Sequence, residues 1–172
     1  MKNLVLALSL LASCSPDSSS SSSPSPAPTA PAKDLIAFTP PSGWISEEPE
    51  NRLRLVQYRV PDKQKQAGDA ECTLSHFANR TLDVDGTVSM WSSNMGGAEA
   101  KVETLQGKCK VTLADFTGNY NSGFAKPVEH ARMLGAIVEA SDGPWYFKLV
   151  GPLETVSGWR DEFVAMVKSA SR

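Results

Sequence analysis

The sequence contains few histidines and cysteines, the residues that bind zinc and supply catalytic bases or thiol nucleophiles. Its 172 residues include two histidines, His76 and His130, and three cysteines. The histidines are distant in the sequence, and neither lies in a short zinc-ligand spacing such as H-x-x-x-H. The chain also lacks a G-x-S-x-G nucleophile elbow and a glycine-rich phosphate loop. These absences disfavour a zinc enzyme, a serine hydrolase and a phosphate-loop enzyme, and the sequence predicts neither a metal nor a cofactor.

The sequence also lacks a strong charge bias and a long hydrophobic run. The formal net charge is -2 at pH 7, and lysines and arginines do not cluster. Because nucleic-acid-binding proteins usually carry a basic patch, we expect no nucleic acid partner. Residues 4–11 form an apolar run that is much shorter than the roughly 20 residues of a membrane-spanning helix.

This short apolar run leads into a motif of small residues and a cysteine. Lys2 supplies a positive charge before the run, which ends in Leu11, Ala12, Ser13 and Cys14. The pattern resembles the lipobox of bacterial lipoproteins. The resemblance implies a signal peptide over residues 1–13 and a lipid anchor on Cys14. An ordinary signal peptide with a spare cysteine is the alternative.

The residue after the cysteine bears on localisation. Ser15 stands there rather than Asp, which in the Gram-negative sorting pattern favours the outer membrane. We therefore expect a lipid-anchored protein of the cell envelope, on the outer membrane and facing the periplasm in a Gram-negative host. In a host with one membrane, this inference does not apply.

Residues 14–33 are rich in serine and proline. An unbroken serine run from 18 to 23 is followed by prolines at 24, 26, 28 and 31. Such a composition cannot bury a core, and it predicts a disordered tether with an extended proline half. Residues 34–172 have a common length for one domain, and we expect a single globular domain there.

The pattern of apolar residues predicts an α+β domain with a mostly antiparallel sheet of six to seven strands and two helices. We expect the first helix to begin at an Asp85 cap and to end at Gly96 and Gly97, and the closing helix to be the longest. Alternation around residue 112 predicts one buried and one wet face, with Thr112 on the wet face. The predicted strands cover residues 53–60, 71–77, 100–105, 108–115, 133–140 and 145–150, after an extended entry at 38–44.

Two stretches that contain aromatic residues and glycine, together with one tryptophan between them, suggest a family. These are F-x-x-P-x-G-W at residues 38–44, Trp91 in the first helix, and Y-F-K-L-V-G-P at residues 146–152 before the last helix. Together with the element order, they resemble the PsbP-like superfamily over most of residues 36–170. The resemblance implies an α/β/α sandwich and a role in binding or assembly.

The two remaining cysteines, Cys72 and Cys109, leave two alternatives open. An envelope compartment permits a disulfide between them. They could instead be separate thiols that pack as small apolar side chains. Neither lies in a nucleophile motif.

The sequence offers two candidate functional regions. Trp44 and Trp145 lie beside turns, and with Tyr120 they predict an exposed aromatic patch for a partner. Residues 117–132 are rich in Gly, Asn and Ser and predict the longest loop of the domain.

These features lead us to expect a lipid-anchored, non-catalytic envelope protein that binds or assembles another envelope protein. One alternative is an envelope hydrolase with a site in the 117–132 loop, tested through His76 and His130. Another is a carrier of a small ligand or metal.

Overall fold

The computed structural model describes residues 35–77, 80–123 and 126–172. The predicted signal peptide, Cys14 and the tether lie outside the described residues. The elements in chain order are β1 Ile45–Glu47, β2 Val56–Val60, β3 Ala70–His76, α1 Val84–Asn94, β4 Lys101–Gln106, β5 Lys110–Tyr120, β6 Val128–Ala140, β7 Gly143–Pro152, α2 Leu153–Gly158 and α3 Arg160–Ser169.

The described strands form one seven-stranded sheet in the order β1-β2-β3-β7-β6-β5-β4. Every neighbouring pair is antiparallel. After β3 the chain passes through α1 to the far edge of the sheet, and then returns through β5 and β6 so that β7 lies beside β3. The predicted α+β class with a mostly antiparallel sheet is confirmed.

Helices cover both faces of the sheet. On one face, which we call the α2/α3 face, Phe163 and Val167 pack against strand residues such as Phe147 and Leu134. On the other, the α1 face, Trp91 packs in a separate cluster of buried residues. The central strands are therefore buried on both sides, as in an α/β/α arrangement.

This double burial corrects the predicted wet face of β5 at Thr112, whereas Lys108 and Lys110 of that face are exposed as predicted. Thr112 is only 6% exposed, although its neighbours Val111 and Leu113 point to the opposite face and are fully buried. Alternation of polar and apolar residues indicates a wet face only where no helix covers the polar positions.

The first helix differs from its prediction at one end. Its N-cap is Asp83 rather than Asp85, and the Asp83 side chain accepts a hydrogen bond of 2.8 Å from the backbone N–H of Gly86. Asp85 lies in the first turn, where its charge complements the helix dipole. At the other end, Gly96 and Gly97 have φ angles of 73° and 82°, in the left-handed region that glycine adopts without strain.

The closing helix is two helices, because the chain breaks at Trp159. There φ is -113° and ψ is 6°, and the indole N–H donates a 2.7 Å hydrogen bond to the carbonyl of Pro61. The break makes α3, with 10 residues, shorter than α1, with 11, so the prediction of a longest closing helix is wrong.

Candidate functional site

The predicted 117–132 loop is largely a pair of hydrogen-bonded strands. Thr117 pairs with Arg132 and Gly118 pairs with Ala131, so the connection between β5 and β6 comprises residues 121–127. Phe124 and Ala125 of this connection lie outside the described residues. The prediction of a long loop there is wrong, because strand pairing overrides the local preference of Gly, Asn and Ser for turns.

Arg132 ties α2 to the sheet. Its guanidinium donates to both carboxylate oxygens of Asp115, at 2.9 and 2.6 Å, and to the Ser157 hydroxyl at 2.9 Å. The hydrogen bond to Asp115 raises the pKa of Arg132 above its ordinary value. A bidentate pair of this kind fixes the position of the guanidinium, which gives Arg132 a structural role.

The predicted aromatic patch is not formed. Trp145 is fully buried, Tyr120 is 3% exposed, and Trp44 is half-buried against Trp159 with ring centroids 6.1 Å apart. Tyr120 also belongs to the core of the α1 face, whereas the two tryptophans pack on the α2/α3 face. The three rings therefore cannot form one contact surface.

The two cysteines are free thiols. Cys72 lies in β3 and Cys109 directly precedes β5, with β7 and β6 between those strands in the sheet. Three strand spacings amount to about 14 Å, well beyond the roughly 7 Å limit for the Cα atoms of a disulfide. The disulfide alternative is therefore wrong for this fold. Burial also raises the pKa of the Cys72 thiol, which keeps it protonated and unreactive.

The two histidines lie near opposite ends of the central strands, as their positions relative to β7 show. His76 pairs with Trp145 on β7, whereas the residue after His130, Ala131, pairs with Pro152 on the same strand. The distance along β7 between those positions is about 23 Å at the usual rise per strand residue. His76 and His130 therefore cannot contribute to one metal or catalytic site.

A polar cluster surrounds His76 at the end of β3. Its ring stacks on Trp145 with centroids 4.0 Å apart and an angle of 9° between the planes. Asp142 accepts a 2.9 Å hydrogen bond from the Trp145 indole N–H and a 2.7 Å contact from Arg172 Nε. The His76 Nε2 atom lies 4.0 Å from the same carboxylate.

The orientation of His76 determines what this cluster can do. Its Nδ1 atom lies 3.0 Å from the carbonyl oxygen of Pro144, which can only accept, so Nδ1 carries the proton. In a catalytic triad the carboxylate would orient Nδ1 and leave Nε2 for the nucleophile. Here Nε2 faces Asp142 instead, and that carboxylate is already bound by Trp145 and Arg172. The cluster thus closes the β6–β7 turn over the buried tryptophan.

A groove of about 580 Å³ runs between residues 39–42 and α3. Its walls include Pro40, Pro41 and Met166. At one end, Lys63 Nζ lies 2.6 Å from a Glu162 carboxylate oxygen and 3.9 Å from the centroid of the Trp159 ring. The Lys63 hydrogen bond lowers the pKa of Glu162. The polar end of the groove is therefore internally paired, and its mostly apolar wall faces solvent.

The loop that carries Lys63 is held by one carboxylate. Asp62 accepts hydrogen bonds from the backbone N–H groups of Gln64, Gln66 and Ala67 at 2.9, 2.6 and 2.6 Å. These donors stabilise the ionised form and lower the pKa of Asp62. The loop consequently has a fixed shape against the α2/α3 face.

A second polar network lies on the α1 face of the sheet, over β2 and β3, where α1 does not cover it. Arg54 Nη1 contacts carboxylate oxygens of Glu50 and Glu71 at 3.1 and 2.8 Å and the Gln57 side-chain oxygen at 2.7 Å. The Arg54 side chain is only 10% exposed, and Gln57 is 3% exposed. Because Arg54 is buried and paired with two carboxylates, this network stabilises the start of β2.

Two absences concern residues 35–77, 80–123 and 126–172, the part of the chain that the structure describes. No group of three or more His, Cys, Asp or Glu side chains is placed there to hold a metal ion. No helix in this part of the chain is long and apolar enough to span a membrane.

Sequence reasoning missed Asp142, Arg172 and the groove along α3. The segment around Asp142 carries a strong turn signal, but nothing in it reveals that the aspartate also binds Arg172, which is distant in the sequence. The groove depends on how residues 39–42 lie against α3, which is a tertiary contact with no local signature.

No protein-family model matches the chain, and no curated protein matches it significantly. The PsbP-like resemblance therefore stays a prediction. Among solved structures, the chain is similar to a protein of unknown function from Pseudomonas aeruginosa, with 11% sequence identity and a TM-score of 0.46. The match covers 76% of this chain and 92% of that chain. This similarity is too low to assign a fold family or a function.

Proposed function

We propose that this chain is a lipid-anchored protein of the cell envelope whose domain binds or helps to assemble another protein and catalyses no reaction. In a Gram-negative host, its place is the outer membrane, facing the periplasm. The Ser/Pro-rich segment sets how far the domain reaches from the membrane.

The observation that carries the proposal is the motif ending at Cys14, followed directly by the tether composition. Each buried methylene of an acyl chain contributes about 0.8 kcal/mol of membrane affinity, so a lipoprotein with several chains stays anchored. A proline-rich segment extends by about 3.1 Å per residue, which holds a domain some tens of ångströms from its anchor. This order of anchor, spacer and domain is typical of proteins that act on partners near a membrane.

The placement of the candidate residues supports binding over the hydrolase alternative. The hydrolase alternative relied on His76 and His130 and on the 117–132 loop. The histidines lie at opposite ends of the sheet, and the loop is mostly paired strand. The exposed wall of the groove beside α3 is mostly apolar and its Lys63 and Glu162 are paired with each other, which suits contact with another molecule better than it suits acid–base chemistry.

Cross-linking in intact cells, followed by mass spectrometry, tests the proposal. We expect the full chain to capture a specific envelope protein and the Cys14→Ala variant to lose it, because that variant cannot be lipidated. Cys109→Ala is the matched control, since it also removes a cysteine but leaves the anchor in place.

Two results would contradict the proposal. Equal capture by the Cys14→Ala variant would show that the anchor does not matter for the interaction. A purified chain that turned over an envelope substrate, with loss of turnover in His76→Ala or His130→Ala and an unchanged circular dichroism spectrum, would favour the hydrolase alternative.

A further inference from the structure

The two edges of the sheet differ in what they expose. At one edge, β1 has three residues, and its Glu47 forms an ion pair of 3.0 Å with Arg59 of β2. At the other edge, β4 has six residues, and Lys101, Val102, Glu103 and Thr104 are all exposed. An edge strand carries a row of backbone N–H and C=O groups without a partner strand on its outer side.

Proteins usually blunt such an edge with a very short strand, a proline, a β-bulge or charged side chains, lysine above all. β4 contains no proline, and its register with β5 runs without a shift from Lys101 opposite Asp115 to Gln106 opposite Lys110. Its two charges have opposite sign and lie two residues apart. Val102, between them, is 50% exposed.

We infer that the β4 edge is an interface between two copies of this chain, which pair antiparallel around Val102 and extend the sheet across both. In this register, Lys101 lies opposite Glu103 of the second copy, and Glu103 lies opposite Lys101 of the second copy. The two Val102 side chains face each other. One symmetric contact thus supplies two ion pairs and an apolar pair, each of a type that stabilises neighbouring strands.

The charges distinguish this register from its neighbours. A symmetric pairing centred on Glu103 would place the two Glu103 carboxylates opposite each other, which is destabilising. A pairing centred on Thr104 would place Glu103 opposite Leu105 and form no ion pair. Only the register centred on Val102 uses both charges favourably among these symmetric alternatives.

The faces of the two sheets also match in this register. Residues with odd numbers in β4 lie on the α2/α3 face, where Glu103 contacts Arg160 at 2.8 Å. Odd residues pair with odd residues around Val102, so the helices of both copies stay on the same side. Lys101 of the second copy then joins Glu103 and Arg160 in a network of three charges. The inference rests on the β4 edge and does not depend on the lipid anchor.

A cysteine placed at the centre of the register tests it in the full chain. In a Cys109→Ser background, Val102→Cys puts two thiols on directly opposite residues, whose Cα atoms are about 4.5–5.5 Å apart and within disulfide range. Thr104→Cys is the matched control, because residue 104 lies opposite residue 100 and its two copies are about 13 Å apart along the strand. On mild oxidation in detergent solution, we expect about tenfold more covalent dimer from Val102→Cys.

Charge exchange tests the same register without relying on disulfide geometry. Lys101→Glu replaces two ion pairs by two like-charge pairs, so we expect the dimer dissociation constant of the full chain to rise about tenfold in sedimentation equilibrium. The double variant Lys101→Glu with Glu103→Lys exchanges the charges and restores affinity. Equal cross-linking at both cysteine positions, or no recovery in the double variant, would overturn the register. A wild-type chain that stays monomeric at every concentration measured would overturn the interface.

Discussion

The two faces of the sheet are held by different kinds of packing. On the α2/α3 face, large side chains fill the space between helices and strands, and Trp145, Phe147 and Phe163 are at most 1% exposed. On the α1 face, one helix approaches the sheet closely over glycines. A Cβ atom on Gly135 would lie 2.3 Å from Trp91 Cζ3, and one on Gly118 would lie 2.5 Å from the Met95 carbonyl oxygen. Both faces contain large buried side chains, but the approach of α1 to the sheet depends in addition on glycines that carry no side chain.

The largest effect should follow from removing volume on the α2/α3 face. Phe163 is fully buried in α3, and we expect Phe163→Ala to lower the free energy of unfolding by about 3–5 kcal/mol, because it leaves a cavity. Urea unfolding followed by circular dichroism measures the loss. Val164→Ala, at a half-buried position on the same helix, is the control. A loss below about 1 kcal/mol for Phe163→Ala would show that this face does not depend on volume.

Adding volume on the α1 face should come next. We expect Gly135→Ala to cost about 1–3 kcal/mol, because the new methyl group overlaps the Trp91 ring and lifts α1 from the sheet. The double variant with Trp91→Leu measures the coupling in urea unfolding. Since a smaller side chain at 91 relieves the overlap, the costs of the two substitutions should not add. Additive costs would mean that Gly135 is not needed for the approach of α1.

A smaller effect should follow from the start of α1. Asp83→Ala removes the hydrogen bond to the Gly86 N–H, and we expect a loss of about 1 kcal/mol. Asp85→Ala removes only a first-turn charge and should cost a few tenths of a kcal/mol. The two variants, compared by thermal unfolding at one pH, separate the cap in the structure from the cap that the sequence predicts. A larger loss for Asp85→Ala would reverse that assignment.

The last prediction concerns the loop that docks on the α2/α3 face. Backbone N–H groups lower the pKa of Asp62 in the folded state below its unfolded value of about 3.9. Such a carboxyl stabilises the fold above the unfolded pKa, and this contribution is lost as pH falls through the folded pKa. We therefore expect Asp62→Asn to be less stable than wild type at pH 7 and the difference to shrink below about pH 4. A difference that stayed constant from pH 7 to pH 3 would mean that the ionised form is not what the loop requires.

The sequence could predict the parts of the fold that depend on local signals, but not those that depend on tertiary packing. Alternation and turn signals located most strands and both helical regions, because these signals are local. Burial of Thr112 could not be predicted, since it depends on tertiary packing on the α1 face of β5. The site of the helix cap was ambiguous because two aspartates stand two residues apart, and either can accept from a backbone N–H.

The candidate site was harder to predict because it depends on pairs of strands that are distant in the sequence. Trp145 stands beside a turn and therefore suggests an exposed ring. In the fold, β3 places His76 flat against that ring, and Asp142 binds the indole N–H. Similarly, the Gly, Asn and Ser content of residues 117–132 favours a loop, but the long β5–β6 ladder pairs most of them.

The most direct test of the proposed function is the chemical state of Cys14 in the chain extracted from cells. Mass spectrometry of the N-terminal peptide should find a mature chain that begins at Cys14 and carries acyl groups, and the chain should fractionate with membranes. A peptide in which Cys14 is a free thiol and is still preceded by Ser13 would contradict the lipid anchor, and with it the proposed function.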